Sequence, residues 1–201
     1  MNLTVITPPA YEPVALADAW AHLRLTASGS PLEHPDDDML TRYIATARRE
    51  VEHITGRSLV RQRVRLSASG FSRLVLLRPP LISVESVQYY DTARVLQTMA
   101  ASDWYTTDDL VPELCIIDTA AWPVTSARQD AVRVTYWTGY AGDSSPDTER
   151  EEQIANVPKE AIDGILMGLS LLYEAMTPEQ RENMERARKA VLDGITLRVL
   201  A

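Results

Sequence analysis

The sequence predicts an α+β fold, a small α-helical bundle with an inserted antiparallel β-subdomain, and three observations carry that reading. Apolar residues recur at spacings of three and four before residue 57 and again after 158. Between about 58 and 138 the period drops to two. No helix-length crossover separates the short segments of that block, so neighbouring strands must run antiparallel. The chain divides accordingly into N-terminal bundle helices (1–57), an inserted β-subdomain (58–140), an acidic linker (141–157) and C-terminal helices completing the bundle with a partner-docking tail (158–201).

After a "TPPAYEP" lead, "VALADAWAHLRL" sets Leu16, Ala19, Trp20 and Leu23 on one side of a short first helix. "DDDMLTRYIATARREVEHITG" then places Leu40, Ile44, Ala47, Val51 and Ile54 in a continuous apolar stripe. Asp36, Asp37 and Asp38 stand at its start, where a carboxylate caps free N–H groups and complements the dipole; Gly56 fits the left-handed stop, with Arg57 just beyond. Strand-like segments follow, "LVRQRVRLS", "RLVLL", "ISVESVQYY", "VLQTM", "DWYTT", "ELCIID" and "AVRVTYWTGY", separated by turn signals such as "SASG" and "RPP". "VPKEAIDGILMGLSLLYEAM" returns to helix, with Pro158 in its first turn and a wide face of Ile162, Ile165, Leu166, Leu169, Leu172, Tyr173 and Met176. That face is expected to pack on the 38–55 stripe, since neither can bury its apolar side alone. "TPEQRENMERARKAVLDG" is a more charged helix opened by Thr177 and Pro178, its thin stripe of Met184, Ala187, Val191 and Leu192 expected either to project from the core or to pack on a neighbour.

Composition narrows the function. A length of 201 residues suits one ample core with an appendage, and 45% hydrophobic with 24% charged residues is ordinary for a globular protein. No apolar run of membrane-spanning length occurs, so no membrane partner is expected, and "MNLTVITPPAYEP" lacks the features of a signal peptide. The net charge of −8 and pI near 4.9 disfavour general duplex binding, which draws on counterion release by cations. Cys115 is the single cysteine, in a strand, and reads as a small apolar residue.

Catalytic and cofactor signatures are missing. There is no phosphate-binding Gly loop, no Gly-x-Ser-x-Gly elbow, no CxxC and no histidine pair at metal-ligand spacing; His22, His34 and His53 read as surface or half-buried residues. No cofactor, metal or catalytic residue is assigned. A small enzyme whose site is assembled from distant residues is the reading that would demand a pocket with strongly shifted titratable groups.

Seven stretches, in order, resemble a family of tailed-phage head-tail connector proteins, also called adaptor or head-completion proteins, of which gene transfer agents carry similar members. They are "EPVALADAWAHLRL" (12–25), "DDDMLTRYIATARREVEHITGRSLVRQ" (36–62), "LRPPLISVESVQYYD" (77–91), "WYTTDD" (104–109), "AAWPVT" (120–125), "VRVTYWTGYAGD" (132–143) and "VPKEAIDGILMGLSLLYE" (157–174). The resemblance implies a non-enzymatic ring of roughly a dozen copies at the head-tail joint of a particle assembled in the bacterial cytoplasm. Its partners would be the portal protein above, a tail-side completion or stopper protein below, and DNA passing through without sequence-specific contact. A tail-terminator or tail-completion ring would share the oligomeric behaviour and differ in the side of the joint it touches.

Two sets of residues stand out against that background. Alternation puts Arg61, Arg63 and Arg65 on one strand face, opposite Val60, Val64 and Leu66, as either a subunit-interface row meeting acidic residues of the adjacent copy or a solvated face. A lumen-facing row is disfavoured by the acidic balance, so the channel wall is expected to be neutral or acidic. In the C-terminal segment, Met184, Val191, Leu192, Ile195, Leu197, Val199 and Leu200 form the expected portal-docking element, ordering on its partner, its removal leaving the core folded. Trp122, Tyr136, Trp137 and Tyr140 read as sheet-packing aromatics.

Overall fold

A computed structural model describes residues 1–29, 31–140 and 154–197. Helix α1 spans Leu16–Leu23 and α2 Asp37–Thr55; α3 (Lys159–Tyr173) and α4 (Pro178–Asp193) complete the bundle. As the stripes require, α2 packs on α3: Leu40, Ile44, Ala47 and Val51 share a core with Ala161, Ile165 and Leu169. Gly56 ends α2 at φ 71, the left-handed conformation that favours glycine. Ile54 departs from the expected stripe, lying 42% exposed while Thr55 is buried beside it. Thr177 opens α4 with a capping box: its Oγ1 accepts from Gln180 N at 3.3 Å and its own N–H donates to Gln180 Oε1 at 2.9 Å.

Asp36 and Asp37 do more than cap. Asp36 makes no side-chain capping bond; its carboxylate accepts from the Tyr173 hydroxyl of α3 at 2.7 Å. Asp37 accepts from the indole of Trp20 in α1 at 2.8 Å and from His34 N at 2.9 Å. The acidic start of α2 therefore ties three helices together through charge-assisted hydrogen bonds.

The strand block is two sheets. The larger has the order β1-β2-β8-β4-β5, comprising Asn2–Thr7, Gln62–Ala68, Val132–Thr138, Leu81–Tyr90 and Leu96–Thr98; the smaller has the order β3-β7-β6, comprising Leu74–Val75, Glu113–Ile116 and Trp104–Thr106. All pairings are antiparallel. The N-terminal lead, assigned no element from sequence, supplies edge strand β1, with Leu3 opposite Leu66 and Val5 opposite Val64. Between the sheets lies a second core of Val64, Leu66, Leu74, Leu76, Val87, Leu114, Val132, Val134 and Tyr136. Strand β2 shows why: its residues alternate strictly between buried and half-buried, so Val64, Leu66 and Ala68 all enter this core.

Bundle and sheets meet where α2 ends and β2 begins. Leu59 and Val60 belong to the bundle core, and Val64 and Leu66, a few residues on, belong to the sheet core.

Candidate interaction surfaces

Glu52, 1% exposed, is the polar hub of the joint. Its Oε2 accepts from Arg48 Nη1 at 2.8 Å, and its Oε1 accepts from Leu59 N and Gln62 Nε2, each at 2.9 Å. Arg48 also donates to Glu12 at 2.7 Å, tying in the lead before α1. Burial raises the Glu52 carboxyl above its ordinary value against the opposing pull of Arg48. The residue borders a cleft of about 350 Å³ with Leu3, Val5, Arg78 and Leu197, yet both of its oxygens are engaged by the chain itself. This is a structural carboxylate, paired and hydrogen-bonded as a buried charge must be.

The other histidine and serine contacts are structural in the same sense. His22 Nε2 lies 3.0 Å from Ser170 Oγ, and that hydroxyl donates to Glu174 Oε1 at 3.1 Å. With the serine proton committed to the carboxylate, the imidazole can only donate, so the contact docks α1 on α3 without activating the hydroxyl. Among the described residues, no group of three or more His, Cys, Asp or Glu could hold a metal ion, and no helix is long and apolar enough to cross a membrane.

The arginine row is placed on the outward face of the larger sheet, away from its core. Arg63 forms a two-pronged ion pair with Glu85 of β4, its Nε donating to Oε2 at 2.6 Å. Arg65 reaches Thr135 of β8 at 3.4 Å and has no carboxylate partner among the described residues. Arg61, just before β2, stacks over the Trp137 ring with its guanidinium carbon 4.6 Å from the centroid. Two cations that sequence reasoning passed over join them: Arg128, 3.8 Å above Tyr90, and Arg133, 4.9 Å from the same ring. Asp130 holds both, accepting from Arg128 Nε at 2.6 Å and Arg133 Nη2 at 2.7 Å, and those bonds depress its carboxyl to about 2. Of the remaining aromatics, Tyr136 is core and donates to Leu77 O at 2.7 Å, Trp122 stacks on Phe71 at 4.5 Å, and Tyr140 accepts from Arg57 at 3.1 Å.

The C-terminal set divides. Met184, Val191, Ile195 and Leu197 are half-buried, while Val199 and Leu200 lie outside the described residues. Leu192 is fully buried in the bundle core, so it is not a docking residue. Its neighbour Arg188, 8% exposed, donates to Gly164 O at 2.8 Å and to Glu50 Oε2 at 2.9 Å. A Cβ on Gly164 would come within 2.6 Å of Leu192, and one on Gly168 within 2.6 Å of Arg188, so the small residues of α3 are what admit α4. Of the two expectations for this helix, projecting or packing on a neighbour, the second matches: α4 packs on α3 and sends Leu192 into the bundle core. Beyond it the chain turns back to α2: Leu197 N donates to Thr55 O at 2.9 Å and Ile195 O accepts from Arg57 at 2.7 Å.

The fold thus defines an α+β protein whose helical bundle is joined through a buried carboxylate to a two-sheet β-half with polarised outer faces. The same fold is found in a chain of the virion of the native gene transfer agent particle, with a TM-score of 0.72 at 20% identity, covering 100% of this chain and 98% of that one. It is found again in the neck of the empty particle computed with C6 symmetry (TM-score 0.73, 20% identity) and the neck of the native particle computed with C12 symmetry (TM-score 0.67, 18% identity), with the same coverage. No protein-family model and no curated protein matches the chain.

Proposed function

We propose that this protein is a structural head-tail adaptor of a gene transfer agent or tailed phage, forming a ring below the portal that extends the DNA channel and joins capsid to tail. The observation that carries the reading is the end-to-end correspondence with neck chains, which takes in bundle, joint and both sheets with almost nothing left over on either side. The symmetries of those necks support a closed ring of about a dozen copies. In this reading the portal and a tail-side completion or stopper protein are the flanking partners, and DNA passes without sequence-specific contact. The arginine face lies between subunits. The half-buried Met184, Val191, Ile195 and Leu197 face the portal, the surface of α4 serving for docking while its inner side holds the bundle closed.

The test is the mass of the purified protein alone and after mixing with the portal of the same particle. A large ring complex formed with portal supports the reading. A chain that stays monomeric and ignores the portal overturns it.

A further inference from the structure

The larger sheet of the β-half carries arginines on its outward face, and the segments flanking the strands of the smaller sheet carry aspartates. On the larger sheet and its flanks stand Arg63, Arg65, Arg128 and Arg133, against the carboxylates of Glu85 and Asp130. Since Glu85 is taken by Arg63 and Asp130 is shared by two arginines, these described residues keep a positive excess. The layer of the smaller sheet, residues 101–118 with the β3 region, is the reverse: Asp103, Asp108, Asp109, Glu113 and Asp118 face a single cation, Arg73, which pairs with Glu113. The four aspartates form no ion pair among the described residues. Among them Tyr105 is 51% and Leu110 65% exposed, apolar groups rimmed by charge in the manner of a contact surface.

In a ring built by repeated rotation, each copy can offer its arginine face to one neighbour and its aspartate layer to the other. Charge complementarity of this kind selects orientation and suppresses the wrong one, since like faces repel.

We propose that copies of this chain associate head to tail through their β-halves, the arginine face of one seated on the aspartate layer of the next. The proposal rests on the ring reading and names the surfaces that would close it.

Self-association of the full chain, measured by analytical ultracentrifugation across a salt series, tests it with Arg65→Glu and the double variant Asp108→Lys/Asp109→Lys; where the free chain is monomeric, the same comparison is made on the portal-assembled complex. Each variant is expected to weaken association by about tenfold or more, and an equimolar mixture to recover it, because one native basic face again meets one native acidic layer. Should Arg65→Glu fail to fold, the double variant, confined to an exposed turn, carries the test. Variants that assemble like the parent overturn this pairing and leave the ring standing. A chain that forms no oligomer in any condition, portal included, overturns both.

Discussion

Arg188 of α4 donates its Nε–H to the backbone carbonyl of Gly164 in α3 at 2.8 Å, inside the helical core. A guanidinium crossing to a main-chain oxygen at that depth is possible only because α3 presents no side chain there, and it brings Leu192, one turn further on, against the same glycine.

Leu192→Ala is therefore expected to lower folding stability by about 2–5 kcal/mol, the range for truncating a fully buried leucine. Urea denaturation with the midpoint and slope fitted together measures it. A loss below about 0.5 kcal/mol, the range of ordinary surface substitutions, would return Leu192 to the surface.

Glu52→Ala removes the acceptor for Leu59 N and Gln62 and strips Arg48 of a buried partner, which should cost about 3–5 kcal/mol. The pH dependence has a definite sign. Burial raises the Glu52 carboxyl, so the folded chain takes up this proton at higher pH than the unfolded chain, and its ionisation makes folding less favourable as pH rises from the ordinary value of 4.5. Glu52→Gln should flatten that part of the stability profile; an unchanged slope would show that another group sets it.

Asp130 behaves oppositely. Held at about 2 by Arg128 and then Arg133, against an ordinary 3.8, it supports the fold above the ordinary value and loses that support as pH falls toward 2. Carboxyl-carbon NMR should show its titration near 2, shifted upward in Arg128→Ala. A normal titration in the parent chain would mean that the bonds from Arg128 and Arg133 to Asp130 are not formed in solution.

Arg63 pairs with Glu85 at the surface, where such pairs add little to folding. Arg63→Ala should leave the thermal midpoint of the monomer where it was while weakening assembly. A falling midpoint would assign the pair to the fold and remove it from the interface.

Much of this was legible in the sequence, where a single element's own periodicity was enough. The stripe from Leu40 to Val51, the stop at Gly56, the Ile165 and Leu169 part of the α3 face and the alternation of Arg63 and Arg65 are all local patterns, whereas Leu172, expected on that face, is exposed and Leu171 is buried instead. What stayed hidden depends on pairing between distant segments. Strand β1 reads as a lead because its six residues gain meaning only beside β2. Whether helix α4 projects or packs stays open in the sequence because its burial comes through an arginine and one leucine, with the space for them supplied by glycines in another helix. The Asp36 and Asp37 bonds to Tyr173 and Trp20 look like ordinary caps until three helices are assembled. Glu85, which takes up the charge of Arg63, emerges as its partner only once the strands are set side by side.

The placement of α4 also sets an order of events during synthesis. Every strand of both sheets has been translated by residue 138, whereas the bundle core lacks Leu192 until α4 itself has been made. The β-half can close while the ribosome is still working, but α2 must hold its apolar stripe uncovered until α3 and α4 emerge. A nascent chain stalled before residue 188 would thus expose its bundle face while already presenting a finished sheet, making that interval the time when chaperone capture or premature association is most probable.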